Sequence, residues 1–369
     1  MKNSHVSVLE LNLKALEHNI EYFKNKLHTE TKILAVVKAF SYGHDAVVIS
    51  KALEKIDVDY LAVAYVHEGV LLREAGIKTP ILVLHAQIQN YQTLIEHSLE
   101  PNIYSRKTLL AFSEAAALKN CIDYPIHLKF NTGLKRLGLD PKDIDFAIET
   151  LQKTRQLKLQ GLLSHLAASE DLSEKAFTLK QIKIFQNIAA QLTAAFDHTI
   201  IKHLSNTSGI INYPEAHMDM VRLGIGMYGF GNTPSETAQL KNVGSLHSII
   251  SQIHELNPGE SLGYNRAYTA SKKTKSATVP VGHADGISRA LGKGNGSVTI
   301  QGQQCPILGN VCMDMIMVDV TDVNCEEGDA VVLFDSQETI EQWAQKSDTI
   351  SYEILTGISQ RIARSIKQS

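Results

Sequence analysis

ILAVVKA, residues 33–39, is the first of eight short apolar runs, and the segments that separate these runs decide the fold. The others are YLAVAYV from Tyr60, ILVLHA from Ile81, EPNIYS from Glu100, IHLKFNT from Ile126, LQGLLSHL from Leu159, IKHLSNT from Ile201 and DMVRLGIGMYG from Asp219. Most alternate with segments of helical period. Examples are HDAVVISKALEKI, SRKTLLAFSEAAALKN with Ser105 as its cap, and the Ala-, Leu-, Gln- and Lys-rich stretch from Ser173 to Phe196. Apolar strands alternating with helices make βα units around a parallel sheet, and eight of them predict an α/β fold of the (β/α)8 TIM-barrel type. After about residue 236 the pattern changes to Val, Ile and Thr runs separated by NPGE, GKGNG and CEEGD turns. The expected organisation is a barrel over residues 10–236 and a β-rich C-terminal domain over 237–369. The opening HVSVLEL is strand-like and leads into a helix over about 11–27, which leaves residues 1–9 open to pairing with the second domain.

Composition agrees with a two-domain globular protein: 369 residues, 44% hydrophobic and 20% charged. A net charge of −3 with interspersed signs provides no basic surface for nucleic acid and no polybasic membrane patch. No segment approaches the roughly 20 apolar residues of a membrane span. The N-terminus lacks the apolar stretch and cleavage site of a secretory signal. The four cysteines form no CxxC pair, as in reduced cytoplasmic thiols. The expectation is a cytoplasmic protein without disulfides that acts on small molecules. The fifteen histidines contain no HExxH and no paired Cys/His cluster, so no metal is expected.

Barrel enzymes draw their chemistry from the carboxyl ends of the strands. Few polar residues fall there in this sequence. Lys38 ends the first run and Arg136 comes after the fifth in NTGLKR. His165 ends the sixth, Asn206 to Gly209 end the seventh, and Arg222, Gly224 and Ile225 close the eighth. The last two loops form the usual phosphate site of this fold, and here they offer hydroxyls, glycine and backbone N–H groups. Alone, a lysine ending an apolar run is an ordinary solvated strand end. Beside a phosphate site, a ring-stacking histidine and an arginine, Lys38 suits a lysine that carries pyridoxal phosphate covalently. GIGMYG at Gly224–Gly229 also satisfies GxGxxG, but no clear helix or βαβ unit comes next and no acidic residue lies near Val243, so a dinucleotide is not expected.

At these residues the sequence resembles the alanine racemases. AVVKAFSYGH at Ala35, KFNTGLKRLG at Lys129, DMVRLGIGMYG at Asp219, GESLGYNRAYTA at Gly259, GNVCMDM at Gly309 and ISYEILTGISQR at Ile350 are similar to successive blocks of that family. The resemblance implies a homodimer with shared active sites that interconverts L- and D-alanine, supplying D-alanine for peptidoglycan. It implies pyridoxal phosphate on Lys38, with Tyr42, Thr207, Gly224, Ile225 and Tyr352 around the phosphate and His165 and Arg222 addressing the ring. Arg136 and the main chain at Met313 would hold the substrate, and Lys129 matches a position that can be carbamylated. Lys38 and Tyr264, the latter from the partner subunit, would be the two bases. Lysine and tyrosine titrate at about 10.4 and about 10 when unperturbed, so such bases need nearby positive charge or, for lysine, desolvation. An arginine at the pyridine nitrogen would discourage transamination.

Asn131, Lys135, Thr207, His283 and Asn310 depart from the common pattern, where Asp, a small residue, Ser, Tyr and Arg stand. His283 and Asn310 match positions at the substrate entrance. A histidine there brings a charge change near neutral pH, and with it a pH-dependent KM. Two rivals, a decarboxylase of basic amino acids and a non-catalytic cofactor carrier, do not match the GESLGY and GNVCMD blocks.

Overall fold

A computed structural model describes residues 5–367; residues 1–4 of the opening and the last two of the C-terminal domain lie outside the described residues. The chain forms two compact units. One takes in the described residues up to 16, then 42–45 and those from 241 onward; the other holds 17–41 and 46–240.

The second unit is a closed barrel of eight parallel strands: β2 (Lys32–Val36), β3 (Tyr60–Val63), β4 (Ile81–Val83), β5 (Glu100–Ile103), β6 (Tyr124–Lys129), β7 (Leu157–Leu163), β8 (Ile201–His203) and β9 (Met220–Leu223). β9 pairs back onto β2, with Leu34 opposite Arg222. Every residue of β3, β4, β5 and β9 is buried, because the strands face side-chain layers inside and helices outside. The helix Arg106–Leu118 starts where the Ser105 hydroxyl accepts the Thr108 N–H. The helix Lys175–Ala195 buries Ile182, Phe185, Ile188 and Leu192, one stripe at helical spacing.

Two run ends differ from the sequence pattern. The first strand stops at Val36, two residues before Lys38. DMVRLGIGMYG is not one strand: β9 ends at Leu223 and Ile225–Tyr228 is a 3-10 turn. The Gly224 and Gly226 N–H groups bond to Thr207 Oγ1, at 3.1 and 3.3 Å, instead of to a neighbouring strand. Gly224 and Ile225 therefore sit in a loop, where Gly226 has no room for a Cβ: it would lie 2.5 Å from the Phe23 ring.

The first unit is built on a nine-stranded sheet. Its strands are β1 (Val8–Leu11), β10 (Gly244–Ile249), β11 (Gln252–Leu256), β14 (Thr274–Val279), β15 (Ser297–Ile300), β16 (Gln303–Leu308), β17 (Ile316–Asp319), β18 (Ala330–Phe334) and β19 (Ala363–Ile366), in the order β11-β14-β17-β16-β15-β18-β10-β1-β19. β12 (Ser261–Leu262) and β13 (Tyr268–Thr269) form a separate hairpin. β1 runs antiparallel to β10 and parallel to β19, and it buries Leu9 and Leu11. Among the described residues no helix is long and apolar enough to cross a membrane.

Candidate active site

Lys38 opens a backbone feature that sequence periodicity does not signal. Ala39, Phe40, Ser41 and Tyr42 have φ of 53–56°, so four consecutive non-glycine residues form a left-handed turn. Each costs roughly 1–2 kcal/mol relative to a right-handed conformation, and the turn persists because its surroundings over-determine it. Within the barrel unit, Ser41 N donates to Val37 O at 3.0 Å, and Ala39 N donates to Glu68 Oε1 at 2.7 Å. The Ser41 and Tyr228 hydroxyls share a 2.6 Å bond. Beyond Ser41 the chain joins the other unit, where Arg364 donates to Gly43 O from Nε and Nη2, at 3.1 and 2.8 Å.

Four cations gather at the carboxyl ends of the barrel strands. Burial and then the charge of Arg136 lower the Lys38 pKa, with Arg222 adding to the effect and Glu68 opposing it. Lys129, the last residue of β6, is pushed down to about 8 by burial and by Arg222, Arg136 and Lys38. Arg222 is fully buried, and burial brings it down to about 10. Burial and the same cations hold His165 well below the ordinary histidine range, so its imidazole is neutral. Arg136 is exposed.

Among the described residues, Arg222's hydrogen bonds all leave from Nη1 and Nη2. Nη1 donates to His203 Nδ1 at 3.2 Å and His203 O at 2.8 Å. Nη2 donates to Ser164 O at 2.6 Å, Leu204 O at 2.9 Å and His165 Nδ1 at 3.1 Å. The Nε–H stays available. Behind Arg222, His203 Nε2 lies 3.0 Å from His127 Nδ1, and His127 Nε2 lies 2.9 Å from Glu100 Oε2.

Thr207 joins the last two loops of the barrel through the bonds that its hydroxyl accepts from Gly224 and Gly226. It also begins the short helix Thr207–Asn212, whose cap Asn206 accepts from Gly209 N at 2.9 Å. Hydroxyl, first-turn N–H groups and side-chain-free glycine make a cradle for a phosphate. With four cations on the same rim, the donor set fits a phosphorylated cofactor and a substrate carboxylate.

The other unit holds the remaining candidates. Tyr264 lies in a turn after Gly263 and is 74% exposed; Met313 is 59% exposed. Asn310 Nδ2 donates to Tyr264 O at 3.2 Å. His283 N donates to Cys312 O and Ala284 N to Met313 O, at 2.9 and 3.0 Å, so the His283 and Met313 loops are interlocked. A Cβ on Gly282 would come within 2.3 Å of Met313 O. Tyr42 is buried with its ring 6.0 Å from that of Tyr352, and burial pushes its hydroxyl pKa up.

Glu100, His127 and His203 escaped the sequence reading. Each lies in a different run beside other polar residues, Asn102, Lys129 and Lys202, so nothing within the run singles it out. The one signal present was that three barrel strands each carry a titratable group where the barrel interior calls for an aliphatic one.

Residues 11–232 match the family described as alanine racemase, N-terminal domain, and residues 243–366 match its C-terminal domain. An alanine racemase of Halothermothrix orenii is 36% identical over 368 residues, covering 97% of this chain and 96% of its own. The structure of the alanine racemase of Clostridium difficile 630 superposes with a TM-score of 0.93 at 35% identity, over 99% of this chain and 97% of that one. An alanine racemase of Bartonella henselae, solved with covalently bound pyridoxal phosphate, gives 0.88 at 27% identity over 98% and 99%.

Proposed function

The chain belongs to the alanine racemase family, and from that premise we propose that Lys38 and Tyr264 are its two catalytic bases, meeting in a homodimer where Tyr264 comes from the partner subunit. The enzyme interconverts L- and D-alanine and uses pyridoxal phosphate. When bound, the cofactor supplies the electron sink that takes up the charge left by the α proton. The rest falls to the protein's own residues.

Lys38 carries the cofactor and exchanges the α proton of D-alanine; burial, Arg136 and Arg222 lower its pKa, which eases loss of its proton. Tyr264 exchanges the proton of L-alanine from the opposite face. Its hydroxyl is exposed on a turn, as a group serving a partner's site requires. The Thr207 hydroxyl, the backbone of Gly224 and Ile225, Tyr42 and Tyr352 bind the phosphate. His165 is held neutral against the ring. Arg222 would donate its remaining N–H to the pyridine nitrogen of the bound cofactor, which would keep that nitrogen unprotonated. Arg136 and the Met313 main chain orient the substrate carboxylate.

Lys129 suits carbamylation. Its free amine, accessible at a pKa of about 8, attacks the carbon of carbon dioxide; a C–N bond forms, one C=O π pair moves onto oxygen, and the nitrogen loses a proton to solvent. One of four crowded cations becomes an anion that orients Arg136.

The observation that carries these roles is the position of Lys38, its pKa depressed by burial and two arginines, on the barrel rim that also bears the Thr207–Gly226 cradle. Purified enzyme given L-alanine in deuterated water should form D-alanine with deuterium at the α carbon. Lys38→Ala should abolish all exchange. Tyr264→Phe should retain exchange of the D isomer's proton while losing that of the L isomer. Equal loss of both exchanges in Tyr264→Phe would remove the two-base assignment.

A further inference from the structure

Among the described residues, Arg222 is a guanidinium without a carboxylate partner; its partners are two imidazole nitrogens and three main-chain oxygens. A guanidinium can only donate, so His203 Nδ1 must accept. Burial and Arg222's charge hold His203 well below the ordinary histidine range, so it is neutral and carries its one proton on Nε2. That proton points at His127 Nδ1, 3.0 Å away, which must accept in turn. The His127 proton then sits on Nε2 and goes to Glu100 Oε2 at 2.9 Å. An acceptor-only carboxylate at one end and a donor-only guanidinium at the other demand the same direction for every bond between them.

Both rings are fully buried, and the Glu100 side chain is 12% exposed. The His127 ring fills the space where a Cβ on Gly161 would stand, 2.1 Å from Nδ1. Glu100 also faces Tyr60, whose hydroxyl pKa is raised by burial and by the Glu100 charge, and its charge is felt by Arg73 and Tyr124.

We propose that Glu100 is a positioning residue for racemisation: acting through His127 and His203, it fixes the proton on each imidazole. Arg222 is thereby held with both Nη groups engaged and its Nε–H free for the cofactor's ring nitrogen. The proposal rests on the assignment of Arg222 to that nitrogen. An amide at this position offers an NH2 donor beside its oxygen acceptor, so exchanging the carboxylate for it removes the demand for a single direction along the chain. The amide NH2 turned toward His127 Nε2 moves the ring proton to Nδ1, where it opposes the His203 N–H. If His203 yields, its proton faces Arg222 instead.

Nitrogen-15 spectra of the histidine rings in wild-type holoenzyme should find His127 and His203 protonated on Nε2 alone; an Nδ1 proton on either would overturn the proposal without any variant. Glu100→Gln and Glu100→Asp then separate direction from packing. Direction predicts that isosteric Gln lowers kcat about tenfold with the KM for alanine unchanged, whereas shorter Asp, still acceptor-only, recovers most of the rate. A packing role predicts the reverse order, and either that order or an unchanged kcat in Glu100→Gln would overturn the proposal. If neither variant folds, the wild-type tautomers decide. Failure of the wild-type enzyme to racemise alanine would instead strike the activity, and the tautomer result would stand apart from it.

Discussion

Lys129 shows how much one residue's charge state weighs in a crowded site. In protein freed of carbon dioxide it is an amine whose folded-state pKa has dropped from 10.5 to about 8 through burial and three neighbouring cations. Below pH 8 the side chain is protonated in both the folded and the unfolded chain, and the folded state carries the full cost of the crowded charge. Between about 8 and 10.5 the unfolded chain binds a proton that the folded one does not, so stability rises with pH through that window, by about 3 kcal/mol in all. Urea titrations should therefore find Lys129→Met more stable than carbon-dioxide-free wild type near neutral pH, with the gap closing as pH approaches 10.5. A gap that does not change with pH would mean that Lys129 bears no such charge. Lys38, Arg222 and Tyr264 were legible as residues because each lies in a motif long enough to carry meaning. Glu100, His127 and His203 were not, since they come from three separate strands and meet their partners only once the barrel closes.

At the scale of elements, the left-handed turn after β2 is the least expected piece of backbone. The run ILAVVKA announces a strand and a lysine at its end, but nothing in AFSY signals positive φ, because none of the four residues is glycine. Tertiary bonds from Glu68, Tyr228 and Arg364 impose the conformation. Ala39 is exposed, so a glycine there loses little contact and sheds the Cβ penalty. Ala39→Gly should raise the free energy of unfolding by about 1 kcal/mol, and β-branched Ala39→Val should lower it by at least as much. A destabilised Ala39→Gly would contradict the strain assigned to the turn. The end of β9 teaches the same lesson: continued apolar character predicted continued strand, and Thr207 diverts the Gly224 and Gly226 N–H groups into a loop.

At the scale of the whole molecule, the proposed sharing of active sites makes a prediction that no single chain can satisfy. Lys38→Ala and Tyr264→Ala should each be inactive alone. Subunits remixed from the two should regain about a quarter of wild-type activity, since half the dimers are mixed and one of their two sites is intact. No recovery after proven exchange of subunits would rule out sharing. The sequence by itself determined the eight-fold alternation of apolar runs and helices, the change to a β-rich segment, and the order of the chemistry-bearing blocks, because periodicity and motif spacing are local properties of the chain. Only the tertiary structure decided that β1 lies between β10 and β19, that Lys38 opens a left-handed turn, and that Glu100 reaches Arg222 through two imidazoles. The physical reason is that hydrogen-bond direction, desolvation and backbone strain belong to groups brought together across large sequence separations, and no single stretch of the chain contains both partners.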